Sequence, residues 1–440
     1  MSLAKYDKYN PSGLDYIENN PADWNVKRLK DLKSATYSSF VDGPFGSNLK
    51  TEHFVDNGDI YVIDSGFITS GLFYIHRDFK TITNDHFQTI KRSECKEGDL
   101  IIAKIGANFG MSAILPKLDK KSLVSGNTLK LTIDKKLFFL KFIHYYFLSL
   151  KQNGQIDLLV KGSAQPALSM STMYDLPFQI PPLLVQSTIA TYLDNKTSAI
   201  DRKVSLLEQK ITHYQQLRKS LINETVCRGL DKNVKLKDSG IDWIGRIPEH
   251  WVVKRGKDLF KEISKKGYPE EPLLAASQKM GVVLKSMLEQ RSMEAQKDFE
   301  NFKLVQVGDF VISLRSFEGG IETAYYKGII SPVYSVFSFL KKMDIDYFKH
   351  LFKSGFFILY LQSIITGIRD GQSIKFVEIQ NTFFAIPPIK EQVSISNYLD
   401  EKTQKIDSIV SNIKTQIETL KELRKTLIND VVTGKIKVSS

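Results

Sequence analysis

Tyr192–Asn223 reads YLDNKTSAIDRKVSLLEQKITHYQQLRKSLIN, and Tyr398–Asn429 reads YLDEKTQKIDSIVSNIKTQIETLKELRKTLIN. The two stretches align residue for residue at an offset of 206. In the first, Leu193, Ile200, Leu207, Tyr214 and Leu221 recur every seven residues; in the second, Leu399, Ile406, Ile413, Leu420 and Leu427 do the same. Four residues on from each stand Thr197, Val204, Ile211, Arg218 and Thr225, and Thr403, Val410, Ile417, Arg424 and Val431. A seven-residue apolar repeat without glycine or proline, its outer faces filled by Lys, Glu and Gln, is a coiled-coil seam. Two seams of matched length pair most simply with each other, antiparallel because a whole block of chain lies between them. From Leu193 to Thr225 such a helix is about 50 Å long. The shared endings LRKSLIN and LRKTLIN then fall at opposite ends of the rod. Arg218, Lys219, Arg424 and Lys425 either snorkel there over the end of the seam or dock another subunit or DNA phosphate.

The repetition extends beyond the helices. Ile180-Pro181-Pro182 matches Ile386-Pro387-Pro388, and Gln186 matches Gln392. Ser12 to Trp24 (SGLDYI…P…W) resembles Ser239 to Trp251 (SGIDWI…P…W), and Val26-Lys27-Arg28 meets Val253-Lys254-Arg255. Weaker echoes are Gly98-Asp99-Leu100 with Gly308-Asp309-Phe310 and Phe142-x-His144 with Phe348-x-His350. Internal similarity of this length is the signature of a duplicated architecture. The order is A–B–A′–B′, with B held similar and A drifted. The reading divides the chain into an N-terminal segment 1–24, a first variable domain 25–179, a first helix 180–230, a linker 231–251, a second variable domain 252–385 and a second helix 386–440.

The variable blocks have another texture. Short β-rich runs (DIYVI, GDLIIAKIG, GDFVISL, SPVYSVFSFL) alternate with turn signals, and one aromatic helix is predicted near 137–151 and near 344–362. The fold class predicted is α+β: two mixed α/β domains separated by two long antiparallel coiled-coil helices, with pseudo-two-fold symmetry.

Formal charge is +12 over 440 residues, which suits a polyanionic partner without specifying one. Candidate nucleic-acid contacts are amide and basic residues in loops. The glycine-proline loop DGPFGSNLK offers Ser47, Asn48 and Lys50, where glycine permits close approach and amides and cations suit phosphates and base edges; a plain turn reads equally from the same residues. KGSAQPAL contributes Lys161 and Gln165, and GIRDGQSIK contributes Arg369, Gln372 and Lys375. Gln pairs bidentately with adenine, and Arg or Lys with guanine; a solvated charged loop is the competing reading. Lys104 and Arg315, after the two Gly-Asp strands, and Lys265 and Lys266 complete the set. His144 and His350, among aromatics, read as hydrogen-bonded core residues.

Cys95 and Cys227 offer no disulfide framework or zinc spacing, which suits a reducing compartment. The polar start MSLAKYDKYN is unlike a signal peptide, and the apolar run Leu137–Leu150 is too short to span a bilayer. A soluble, cytoplasmic protein is expected. No GxxxxGK[ST], dinucleotide loop, HExxH or Asn/Asp-Pro-Pro-aromatic motif is present, so neither catalytic nor metal residues are assigned.

SGIDWIGRIPEHW, IPP…EQ…YLD…T…ID and LRKTLIN together resemble the specificity (S) subunits of type I restriction-modification systems, over nearly the whole chain and twice in the family's order. The resemblance implies that each A block is a target recognition domain reading half of a bipartite, asymmetric DNA site. It implies that the B helices space the domains and bind two methyltransferase (M) subunits, with two restriction (R) subunits joining that core. S-adenosylmethionine, ATP and magnesium would belong to those partners and not to this chain. Alternatives are a single-chain DNA modification enzyme, or a coiled-coil scaffold with no DNA role. The first copy lacks the acid before Gln186 that Glu391 supplies before Gln392, which puts the capping of the first helix in doubt.

Overall fold

The computed structural model describes residues 4–160, 167–288, 299–365 and 374–438. The chain forms two compact units. Unit 1 comprises 1–206 with 416–440, and unit 2 comprises 207–415. Each therefore combines one variable block with one end of both long helices.

Unit 1 begins with a hairpin, β1 (Tyr9–Leu14) on β2 (Ile17–Pro21). Trp24 follows, then β3 (Asn25–Arg28), β4 (Phe40–Asp42), β5 (Leu100–Ala103), β6 (Ser112–Ile114) and β7 (Thr128–Leu131). The aromatic helix α1 spans Leu140–Gln152, β8 spans Pro177–Ile180, and α2 runs unbroken from Leu183 to Arg228. The four-stranded sheet has the order β6-β5-β7-β4, antiparallel throughout. Strand β8 closes on β3. A five-stranded sheet adds the run 94–95, 121–124, 60–63, 80–82 and 54–55, in which Lys121–Val124 pairs in parallel with Ile60–Ile63.

Unit 2 repeats the plan. Its hairpin is β9 (Leu236–Asp238) on β10 (Arg246–Pro248), followed by Trp251 and β11 (Val252–Arg255). Strands β12 (Phe260–Ile263), β13 (Phe310–Ile312), β14 (Glu322–Thr323) and β15 (Ser335–Phe339) form an antiparallel sheet of order β14-β13-β15-β12. Position for position this is the sheet of unit 1. Strand β16 (Phe383–Ile386) closes on β11 as β8 does on β3, and α5 (Ile389–Val432) is the second long helix. The single aromatic helix expected near 344–362 is two, α3 (Ile345–Phe352) and α4 (Gly355–Ser363). Ser354 ends the first and caps the second by accepting from the Phe357 amide. The shared sheet is antiparallel; the five-stranded sheet of unit 1 adds a parallel pairing. Gly98 and Gly308 sit at φ +84° and +87°, and the buried Asp99 and Asp309 each accept an amide from three residues earlier. The Gly-Asp echo is thus a turn that aims β5 and β13.

Why LRKSLIN and LRKTLIN are written twice follows from the packing at each helix end. In unit 1, Ile189 and Leu193 of α2 join Ile428, Val431 and Val432 of α5 in one core; in unit 2, Ile222 and Val226 of α2 join Ile395 and Leu399 of α5. The start of one helix lies on the end of the other in both cases, so the pair is antiparallel. Every predicted seam residue is buried or half-buried. The repeated arginine reaches the repeated aspartate on the other helix, Arg424 to Asp201 at 3.0 Å in unit 1 and Arg218 to Asp407 at 3.1 Å in unit 2. The repeated asparagine ties the helix end to the variable block. The Asn429 side-chain oxygen accepts from Ser149 and Asn153, and that of Asn223 accepts from the Gly355 amide. Gly434 and Gly229, both left-handed, then turn the chain past Trp24 and Trp251 respectively. In unit 1 the two chain ends meet, the Lys437 amide donating to the Ala4 carbonyl at 2.8 Å, where unit 2 has continuous linker.

Candidate nucleic-acid interface

The four-stranded sheet brings several candidate residues to one end. Strand β4 ends at Asp42 and β5 at Ala103, both flanking the start of β7. The loop leaving β4 is Gly43–Lys50, and Lys104 follows β5 directly. Their backbones are stitched to the turn before β7: the Gly43 amide donates to Thr128, and the Lys104 amide to Asn127. A cleft of about 1000 Å³ opens here, lined among others by Phe45, Asp64, Lys80, Lys104 and Asn127. The Lys104 ammonium stands 3.9 Å from the centre of the Phe45 ring and 3.6 Å from Asp42. Ser47, Asn48 and Lys50 are exposed on the loop's far side, where the Asn48 carbonyl meets His86 Nε2, the Lys50 amide donates to His53 Nδ1, and the Lys50 ammonium pairs with Glu52.

At the equivalent end of unit 2, β12 and β13 flank the start of β15. Lys265 and Lys266 follow β12 and are exposed. Arg315 follows β13 by three residues, is exposed and pairs with Glu318 at 2.7 Å. Lys375 lies elsewhere, capping the short helix Phe376–Asn381 and donating its amide to Glu378. Lys161, Gln165, Arg369 and Gln372 fall outside the described residues. Of the four residues proposed for partner docking, Arg218 and Arg424 are engaged in the cross-helix pairs, which favours the packing reading for them; Lys219 is exposed and Lys425 half-buried. Phe45 and Tyr268 are exposed rings in these loops that the sequence does not single out, because an aromatic in a loop looks like a core residue until the sheet is built.

Beneath these loops the histidines behave as core groups. His144 is buried between the Ser112 hydroxyl and the Gly71 carbonyl, and burial pushes its pKa down to about 4. His350 is buried against Asp400 at 2.8 Å; burial lowers its pKa too, partly offset by that carboxylate. Burial raises the free thiols of Cys95 and Cys227 to about 12. Among the described residues no group of three or more His, Cys, Asp or Glu could hold a metal ion, and no helix is long and apolar enough to cross a membrane.

Residues 21–212 match the family model described as the type I restriction modification DNA specificity domain. Over that stretch, and in the order of its domains and helices, the chain is similar to specificity subunits of type I restriction-modification systems. Among proteins similar to it are two from Methanocaldococcus jannaschii. The MjaVIII specificity subunit is 23% identical, with 96% of this chain and 94% of that one covered. The putative MjaX specificity subunit is 21% identical, with 96% and 95% covered. The fold matches that of a chain solved in work on complex assembly and conformational transition of the type I R-M system, with TM-score 0.66, 15% identity, and 94% and 98% of the two chains covered. It also matches the HsdS subunit from Thermoanaerobacter tengcongensis, with TM-score 0.53, 15% identity, and 95% and 98% covered.

Proposed function

We propose that each unit reads one half of a bipartite, asymmetric DNA site, and that the paired helices set the gap between the halves and dock two M subunits. The observation that carries this reading is the doubled plan: one sheet order and one set of helix-end contacts occur twice, while the loops at the reading end of each sheet have diverged. Two similar readers with unlike loops suit two unlike half-sites, roughly one helical turn or ~34 Å apart on one face of a duplex. The chain contributes selection and no chemistry of its own. Methyl transfer from S-adenosylmethionine belongs to M, and ATP- and magnesium-dependent translocation and cleavage belong to two R subunits. Lys219 and Lys425, beside the cross-helix ion pairs, are candidates for the M contact. A cytoplasmic location follows from the duplex target.

The test is to lengthen α2 and α5 together by one turn each. That adds ~5.4 Å, against ~3.4 Å per base pair, so the unread spacer should grow by one or two pairs while both half-sites persist. Sequencing the methylome of cells expressing the altered chain with M reads this directly; an unchanged spacer sinks the spacing role. Methylation of DNA by the purified chain with S-adenosylmethionine alone would revive a single-chain enzyme. Failure to bind duplex DNA even at low salt would leave a scaffold.

A further inference from the structure

The two units share almost no sequence in the loop leaving the edge strand, DGPFGSNLK after β4 and SKKGYPEE after β12. Yet both loops put the same chemistry at the same place. In unit 1, Phe45 is 50% exposed beside Gly46 at φ +51°, with Lys104 under its ring. In unit 2, Tyr268 is 41% exposed beside Gly267 at φ +85°, preceded by Lys265 and Lys266. Arg315 leaves β13 at the end of the sheet where Lys104 leaves β5. Each unit thus carries a solvent-facing aromatic and a cation on the C-terminal ends of two strands separated by one.

These rings are held, not merely left exposed. A Cβ on Gly43 would lie 2.0 Å from the Ser125 carbonyl oxygen, and one on Gly126 would lie 2.8 Å from that of Pro44, so the Phe45 loop is packed backbone on backbone. In unit 2 the Gly267 amide donates to Glu300 and the Leu304 amide to Lys265. An aromatic ring kept in water by a braced loop loses little further entropy on binding. Its flat face can contact a thymine methyl or wedge against a base step, and an adjacent Lys or Arg can reach guanine O6 and N7. Asp42 also pairs with Arg92 at 3.4 Å, so Lys104 is not its sole cation.

We infer that this strand-end lip is the base-reading element of both units, with Phe45 and Lys104 contacting bases of one half-site and Tyr268 and Arg315 contacting bases of the other. The inference rests on the bipartite reading above and adds which end of each sheet meets the duplex.

The test uses the full chain in complex with M and a library of random-sequence duplexes, with bound sequences selected and counted. Phe45→Ser and Lys104→Gln should each lower discrimination by at least about fivefold at positions in one half-site. Tyr268→Ser and Arg315→Gln should do so only in the other half-site. Phe45, Tyr268 and Arg315 are exposed, whereas Lys104 is largely covered in its pair with Asp42, so helix content by circular dichroism checks that each variant folds. Should a serine variant fail to fold, the glutamine variant of the same lip decides. A wild-type complex that selects a bipartite motif, with variants selecting it unchanged, overturns the inference and leaves the bipartite reading intact. Variants that weaken both half-sites equally also overturn it. A wild-type complex that selects no motif sinks both.

Discussion

Gln186 and Gln392 do identical work in the two units, whereas Trp24 and Trp251 do not. Each glutamine is buried at the start of a long helix. Its amide nitrogen donates to the carbonyl of the first residue of the Pro-Pro pair, Pro181 or Pro387. Its oxygen accepts the amide of the residue capping the aromatic helix, Phe139 or Asp344. The tryptophans occupy matching positions at the hairpin's end but differ in partners. Trp251 Nε1 donates to Glu391, which also meets His250 at 2.8 Å. In unit 1 the corresponding residues are Val185 and Asp23, neither of which takes the place of Glu391, and Tyr6 packs edge-on against the Trp24 ring. The acid before the glutamine was expected to cap the helix. It is instead the partner of a tryptophan and a histidine, and its loss from unit 1 leaves the helix start secured by Gln186. The joint that fixes the long helix to the aromatic helix is held constant; the polar contacts beside it have drifted.

The largest effects should come from the shared core. Leu193→Ala and Leu399→Ala each empty a fully buried site at an antiparallel helix end. Each should cost about 2–5 kcal/mol in denaturant unfolding. A cost confined to one of them would break the equivalence of the two ends.

Acid should separate the units. His144 has its pKa lowered to about 4 by burial, below the ordinary 6.5. Its contribution is complete above pH 6.5, where folded and unfolded forms are both neutral. It is lost as pH falls from 6.5 toward 4, because the unfolded chain takes up the proton first, a loss of about 3 kcal/mol. Arg424 nearby adds to the effect and Asp194 opposes it. His350, facing Asp400, should lose less. His144→Gln should therefore flatten the slope of stability between pH 7 and pH 5 more than His350→Gln does; the reverse order would contradict the assigned partners.

Transplanting the drifted group sharpens the comparison further. Glu391→Gln should destabilise unit 2 by about 1–2 kcal/mol, since it strips charge from two hydrogen bonds, one to a buried indole. Val185→Glu alone should weaken unit 1, because the carboxylate would meet Asp23. Val185→Glu with Asp23→His should recover the loss, as read by a thermal-unfolding double-mutant cycle.

The smallest effect belongs to the cross-helix ion pairs. Arg218→Ala and Arg424→Ala remove contacts to aspartates that are more than half exposed. Each should change stability by less than about 1 kcal/mol and less still at high salt. If these pairs fix helix register, Arg424→Ala should alter the spacer read in the methylome of cells expressing it with M; an unchanged spacer would leave them no role in register.

Much of this molecule was written in periodicity. The heptads at Leu193 and Leu399 predicted the antiparallel helices, the matched Trp-x-Val-Lys-Arg and Ile-Pro-Pro segments the duplication, and the two histidines among aromatics the buried imidazoles. Those features depend on local spacing and on burial, which a sequence carries directly. The break at Ser354, the partners of Glu391 and the exposure of Phe45 and Tyr268 were not legible, because each depends on which distant strand or helix arrives beside it. Residue order determined a duplicated chain with two long helices of nearly equal length. Only tertiary packing decided which end of each sheet carries the aromatic and the cation, since a strand's pairing partner, not its own composition, fixes where its loop emerges.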